Sequence, residues 1–376
     1  MIVLRILYFW LCCWVCFFII AACSESDNEE ARLTVASLLA EPSTEGFSRA
    51  TKIRQFHFPQ DHSAHPDYRS EWWYITGNLV DEQNQKQAFG FQVTFFRFAL
   101  SAEDIQRPSL WRSNQLWMAH VAVTDIKEKQ HYADERFSRG NPGMAGVQLS
   151  PFQIWLDDWQ IKSVNNKFPW TLTVNAKEFA FNLTITPEKK LILNGDKGLS
   201  KKSDAPGNAS YYYSISRLTT QGTISINKQT YSVKGLSWLD REWSTSSLDK
   251  DQTGWDWFSL QLQSGEDLMF YQLRTNTGGV HHSSQGTWVE KNSQTQMIKH
   301  ADIKLTPLDW WQSEKGERYP IRWRMEYLSR QKDFIIQALV KNQTMELLIP
   351  YWEGAVVVLD HSGKKIGQGY LEMTGY

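Results

Sequence analysis

Trp73-Tyr74-Ile75-Thr76-Gly77-Asn78-Leu79-Val80, the turn Asp81-Glu82-Gln83-Asn84-Gln85, and Phe89-Gly90-Phe91-Gln92-Val93-Thr94-Phe95-Phe96-Arg97-Phe98 decide the fold. Both arms are aromatic and β-branched, and the segment between them is polar. That pattern predicts an antiparallel hairpin. The period of two returns at residues 118–126, with Ala119, Val121 and Val123 on one face and His120, Ala122 and Thr124 on the other. It returns again at 179–186. Further strands are predicted at residues 211–216, 223–226, 257–263, 268–274, 321–327, 334–340, 355–359 and 370–374. No long amphipathic helix interrupts them, so the expected class is all-β, built from antiparallel barrels or sandwiches.

The hairpin from Trp73 to Arg97 has a faint echo later in the chain. Trp257 opens a second hairpin that closes on Phe270-Tyr271-Gln272-Leu273-Arg274. Such an echo suggests two related units. The polar stretch 195–208 reads as a long loop, because strands resume after it unchanged. The better boundary is the Ser, Thr and Asp cluster at 244–253. The expected organisation is a leader over 1–22, a tether over 23–50, and β-domains over 51–245 and 246–376, with a short helix possible at 33–39.

The leader reads as a signal peptide. Arg5 precedes an apolar run that ends in Ile20-Ala21-Ala22-Cys23. Small residues before a cysteine suit lipoprotein processing, in which Cys23 carries a diacylglycerol. Ser24 rather than Asp follows, so the expected location is the outer membrane, facing the periplasm. Cys12, Cys13 and Cys16 depart with the leader. The mature chain then has no spare thiol for a disulfide, a thiolate metal site or a cysteine nucleophile.

Removing the leader leaves 39 basic residues against 41 acidic ones. That balance supplies no basic footprint for nucleic acid. Sixteen of the 18 tryptophans remain in the mature chain, an excess that suits an apolar cavity with a polar edge. No GxSxG elbow and no phosphate-binding glycine loop is present, which argues against a serine hydrolase.

Two clusters carry candidate chemistry. The first is Asp61-His62-Ser63-Ala64-His65-Pro66-Asp67-Tyr68-Arg69-Ser70-Glu71, running into Trp72-Trp73-Tyr74. Its residue types suit zinc, but Pro66 opposes a helix that would align them. A loop held by an Arg69–Glu71 ion pair is the simpler expectation, with no metal and no other cofactor. The second cluster is Trp238-Leu239-Asp240-Arg241-Glu242-Trp243, followed by Trp255-Asp256-Trp257. A carboxyl among indoles is desolvated and can stay protonated near neutral pH, and indole faces can stabilise a cation. The other possibility is a buried Asp–Arg–Glu network joining the two domains.

At these clusters the chain resembles the family of AttH proteins and hydroxyneurosporene synthases (CrtC-like carotenoid 1,2-hydratases). The resemblance rests on residues 65–74 with Thr76-Gly77, on 237–243, on Gly254-Trp255-Asp256-Trp257-Phe258, on Tyr351-Trp352-Glu353-Gly354-Ala355-Val356 and on 369–376. It implies two consecutive lipocalin-like β-barrels, a hydrophobic ligand held in a cavity, and a possible partnership with ABC transporter components. Where the hydratase branch is richer in His and Asn, this chain has Arg241 and Glu242. A charged Arg beside Asp240 is expected to lower the acid's pKa and oppose a proton-donor role.

Two functions follow as expectations. One is an envelope lipoprotein that binds a lipid-like molecule through Trp72, Trp73, Tyr74, His120, Trp238, Trp243, Trp255 and Trp257. The alternative is a hydratase acting on an isolated C=C bond of an isoprenoid. Asp240 or Asp256 would then be the acid, Glu242 a second carboxylate, and His65 or Glu71 would direct water.

Overall fold

The computed structural model describes residues 44–102, 113–140, 143–246 and 248–376. The expected leader, Cys23 and the short helix at 33–39 lie outside the described residues. Strands make up most of the described residues, and the helices among them are three short 3-10 turns.

The predicted hairpin is β1 (Ser70–Asp81) with β2 (Ala88–Ala99), extended by β3 (Gln115–Asp125) and β4 (Gln130–Ser138). A meander of short strands follows: β5 (Ala145–Leu149), β6 (Phe152–Leu156), β7 (Trp159–Ser163), β8 (Trp170–Asn175) and β9 (Phe179–Pro187). The small strands β10 (Ile192–Leu193) and β11 (Leu199–Lys201) both pair with the long β12 (Ala209–Ile226). β12 joins β9 to β13 (Gln229–Ser246), and β13 returns to β1. The resulting order is β4-β3-β2-β1-β13-β12-β9-β8-β7-β6-β5. The sheet curls far enough for Arg136 on β4 to donate to the Asn175 carbonyl at the end of β8 at 3.1 Å.

The second sheet contains β14 (Gln252–Leu262), β15 (Asp267–Thr275), β16 (Gln285–Val289), β17 (Thr295–Lys299) and β18 (Ile303–Gln312). It continues through β19 (Arg318–Tyr327), β20 (Lys332–Ala338), β21 (Thr344–Met345), β22 (Tyr351–Leu359) and β23 (Lys365–Met373). Its order is β17-β16-β15-β14-β23-β22-β20-β19-β18. In both sheets the opening hairpin grows outward on one side, while the final strand closes back on the first. The hairpin echo in the sequence reflects this shared connectivity.

Two sequence readings change. Residues 211–216 and 223–226 belong to one strand, β12, with an irregularity between Ile215 and Leu218. The cluster around Asp240, assigned to no strand from the sequence, lies within the 18-residue strand β13, which ends at Ser246 before the second sheet begins at Gln252. The pattern was obscured because both faces of β13 are covered, so apolar and polar residues do not alternate simply.

That double covering separates neighbours along β13. Leu239, Arg241 and Trp243 face the interior of the first sheet, and Trp238, Asp240 and Glu242 face the second sheet. The interior holds a sealed ion cluster. Glu71 accepts from Arg97 and from Arg241, and its partners are these two arginines rather than the expected Arg69. Arg241 lies 3.8 Å over the Trp73 ring, and His65 stacks on Trp243 with centroids 3.7 Å apart. His65 also reaches Asp61 at 3.1 Å and Glu71 at 3.3 Å. Burial would raise the Glu71 pKa, but Arg97 and then Arg241 outweigh it and hold the carboxyl well below its ordinary value.

The two sheets meet through polar ties around a third apolar cluster. Asn78 donates to the Gly369 carbonyl at 2.9 Å, and Gln261 donates to Ser216 and Ser237 at 2.8 and 2.9 Å. Lys189 reaches Asp267 at 2.7 Å beside Arg217. The backbones come so close that a Cβ on Gly90 would sit 2.8 Å from the Ala355 Cβ.

Glu71→Ala is expected to leave Arg97 and Arg241 facing one another in a sealed core, at a cost of about 3–5 kcal/mol in unfolding free energy. Chemical denaturation followed by tryptophan fluorescence measures it. An unchanged midpoint would mean the cluster is not a structural lock.

A candidate active site between the two sheets

The residues of β1, β12 and β13 that face away from the first core form one wall of a cleft, and β14, β15, β22 and β23 form the other. Counting its open mouth, the cleft encloses about 790 Å³ of non-atom space. Trp72, Tyr74, Tyr212, Trp255, Trp257 and Tyr271 supply most of its apolar lining. The apolar cleft thus lies between the two sheets. The interior of the first is filled by its own side chains, including Trp73, Trp159, Trp170 and Trp243.

Asp240 projects into this cleft. Trp238 donates its indole N–H to Asp240 Oδ1 at 2.6 Å, and the Ser214 and Tyr212 hydroxyls also reach the carboxyl. Tyr212 in turn accepts from the Trp257 indole at 3.2 Å. Burial raises the Asp240 pKa to about 7, with the neighbouring Glu242 adding to it and the three donors partly offsetting it. The expectation that Arg241 lowers this acid is overturned. Successive residues of a strand point to opposite faces, so Arg241 is committed to Glu71 on the far side.

Glu372 on β23 faces Asp240 from the second sheet. Trp255 donates to its Oε1 at 2.8 Å. Burial raises its pKa to about 7, and the charges of Asp240 and Glu242 push in the same direction. Directly across the ladder from Glu372 is Glu353 on β22. Glu353 is fully buried with the Tyr74 and Tyr351 hydroxyls near enough to oppose the effect of burial, although neither carboxyl oxygen meets full hydrogen-bond geometry. Burial and then the charge of Glu372 push its pKa well above the ordinary value. Glu242, by contrast, has a cationic partner: Lys202 Nζ lies 2.9 Å away, and Ser210 also donates to it. Lys202 also lies 4.0 Å over the Tyr271 ring.

The structure therefore gathers Asp240, Glu242, Trp72, Tyr74, Trp255 and Trp257 in one place, with Trp238 just behind Asp240. The other candidates are elsewhere. His65, Glu71, Trp73 and Trp243 belong to the core of the first sheet. Asp256 is one residue out of phase with Trp257 and points into the second sheet, where Arg274 and Tyr376 bind it. His120 stands at the edge of the seam and meets the Tyr351 hydroxyl at 2.9 Å. Among the described residues, no group of three His, Cys, Asp or Glu side chains is arranged to hold a metal ion.

Tyr212, Ser214, Lys202 and Glu372 were not singled out from the sequence. Tyr212 and Ser214 sat in a predicted strand, but only its pairing with β13 puts them opposite Glu242 and Asp240. Glu372 and Glu353 lay in stretches that carried the family resemblance, with no role attached. The usable signal was cross-strand register, which requires knowing the partner strand.

Comparison with known proteins gives the same architecture. An AttH protein from Nitrosomonas europaea superposes with a TM-score of 0.77 at 30% identity, over 88% of this chain and all of that one. Kievitone hydratase from Nectria haematococca superposes with a TM-score of 0.63 at 15% identity, over 90% of this chain and 98% of that one. CghA gives 0.50 at 10% identity, over 82% of this chain and 88% of that one. These last two share the fold. No curated protein sequence matches the chain significantly. The family model described as AttH-like matches residues 49–376, and with two lipocalin-like sheets joined across this cleft the chain belongs to the AttH-like family.

Proposed function

We propose that the chain is a hydratase that adds water across an isolated C=C bond of an apolar substrate bound between the sheets. The observation that carries this reading is the pair Asp240 and Glu372, one from each sheet, both with pKa raised to about 7 in an aromatic cleft. A general acid and a general base work best when their pKa values lie near the operating pH. Asp240, protonated, donates its proton to one alkene carbon, and the carbocation forms at the other. The faces of Trp72, Trp255 and Trp257 border that carbon and favour positive charge. Water attacks the cation, and Glu372 takes the released proton. Passage of that proton back to Asp240 restores the starting state, so the net change is addition of one water.

A carrier of hydrophobic molecules, working with a transporter, would use the same cleft. It would not need two carboxyls poised near neutrality. A protein with this architecture in Nectria haematococca is named a hydratase, so the fold accommodates that reaction class. We further propose that Cys23 anchors the chain to the outer membrane, with the acidic stretch after Ser24 as spacer. Cys23→Ser is then expected to abolish fatty-acid labelling and move the chain from the membrane pellet to the soluble fraction. A variant that stays labelled would end the anchor proposal.

Asp240→Asn is expected to lower turnover of prenylated and acyclic isoprenoid alkenes by at least about a hundredfold, followed as oxygen-18 incorporation from water. Wild-type activity should follow a bell centred near pH 7, because the acid must be protonated while the base is ionised. The stability effect has the opposite sense. A carboxyl whose folded pKa is raised contributes stability that is complete below its ordinary pKa and is lost as pH rises through about 7. The Asn variant lacks that loss, so above neutrality its thermal midpoint should equal or exceed wild type. A folded Asp240→Asn protein with undiminished turnover would sink the hydratase reading.

A further inference from the structure

We infer that the cleft between the sheets is a receptor for lipophilic cations, an apolar body ending in an ammonium-type charge. This goes beyond the proposed function while resting on the cleft being where the ligand binds: such a cation resembles the carbocation and, by ionising Asp240, would occupy the site without being hydrated. The argument begins with an imbalance. Four carboxyls meet at the cleft or directly behind its wall: Asp240 and Glu242 from β13, Glu372 from β23 and Glu353 from β22. Among the described residues, the one cation lining the cleft is Lys202, which is committed to Glu242 at 2.9 Å and to the Tyr271 ring at 4.0 Å. Asp240, Glu353 and Glu372 have no cationic partner among the described residues.

The other neighbours of these groups do not redress the balance. Tyr212 and Ser214 from β12, Trp238 from β13 and Trp255 from β14 donate neutral hydrogen bonds. Tyr74 from β1 and Tyr351 from β22 lie beside Glu353, and burial raises both hydroxyl pKa values well above the ordinary one, so they stay neutral. His120 behind Tyr351 is buried with its pKa lowered to about 3 and is neutral as well. Arg241 is on the far side of β13, held by Glu71.

A second, independent observation points to a ligand. Both oxygens of Glu353 and the hydroxyl of Tyr74 are buried without a completed hydrogen bond, and Tyr74 lines the cleft. Unmet buried polar groups are costly, and an occupant that ionises the acids around it would answer them. The indoles of Trp72, Trp255 and Trp257 add faces suited to an ammonium group. Without an occupant the acids avoid mutual repulsion by holding protons. A bound cation would let them release those protons.

The test uses the purified full-length chain and three probes of equal alkyl length: octyltrimethylammonium, octanol and octanoate. Binding is read from quenching of tryptophan fluorescence and from proton release in calorimetry with two buffers. At about pH 8 the ammonium should bind at least about tenfold more tightly than octanol, and octanoate most weakly. At about pH 6, where Asp240 and Glu372 hold protons, the preference should shrink severalfold. Glu372→Gln should flatten this pH dependence of the ammonium preference, and Asp240→Asn provides an independent second variant.

Octanol binding as tightly as the ammonium would overturn the cation inference and leave the cleft as a neutral apolar site. If none of the three binds, the cleft reading fails together with the inference. Ammonium binding with full pH dependence in both variants would place the cation elsewhere and also overturn it.

Discussion

Everything at the centre of this molecule depends on β13 being covered on both faces. A strand offers two surfaces, and successive side chains go to alternate ones. Here one surface completes the core of the first sheet with Leu239, Arg241 and Trp243. The other presents Trp238, Asp240 and Glu242 to the second sheet. A shift of register by a single residue would exchange the two sets and bury Asp240 against Glu71. The sealed cluster of Glu71, Arg97 and Arg241 guards against that slip, because it is satisfied only in the observed register. An ion cluster in a core adds little net stability over an apolar replacement, but it strongly disfavours arrangements that leave one charge unpaired.

The two acidic environments on opposite faces of β13 show how position decides chemistry. Glu71 has two arginines and is held ionised. Asp240, Glu353 and Glu372 have hydroxyls, indoles and one another, and burial holds their pKa values high. Glu71, Asp240 and Glu353 are all buried, so burial alone does not distinguish them. The distinction comes from which face each side chain takes.

The all-β class and the paired hairpins were legible in the sequence, because alternation of aromatic and β-branched residues is a local property. The family was legible too, from motifs that are contiguous in the chain. The site was legible only in half. Trp72, Tyr74, Asp240, Trp255 and Trp257 stood in conspicuous clusters and do share the cleft. Arg241, Trp73, Trp243 and Asp256 stood beside them and do not, because adjacency in a strand means opposite faces. Reading β13 in steps of two would have removed Arg241 from the Asp240 argument. No local reading would have supplied Tyr212 or Glu372, whose relation to Asp240 is set by strand pairing and by packing of one sheet on the other.

The shared connectivity of the two sheets has a consequence for where such a site can come from. Asp240 and Glu242 belong to the first sheet, Glu353 and Glu372 to the second, and neither sheet alone encloses the cleft. A chain with a single sheet of this kind would carry a half-site only. A complete site at the seam therefore requires both halves of the chain. Permanent linkage also fixes the facing partner at unit stoichiometry, so the complete cleft is present at any protein concentration.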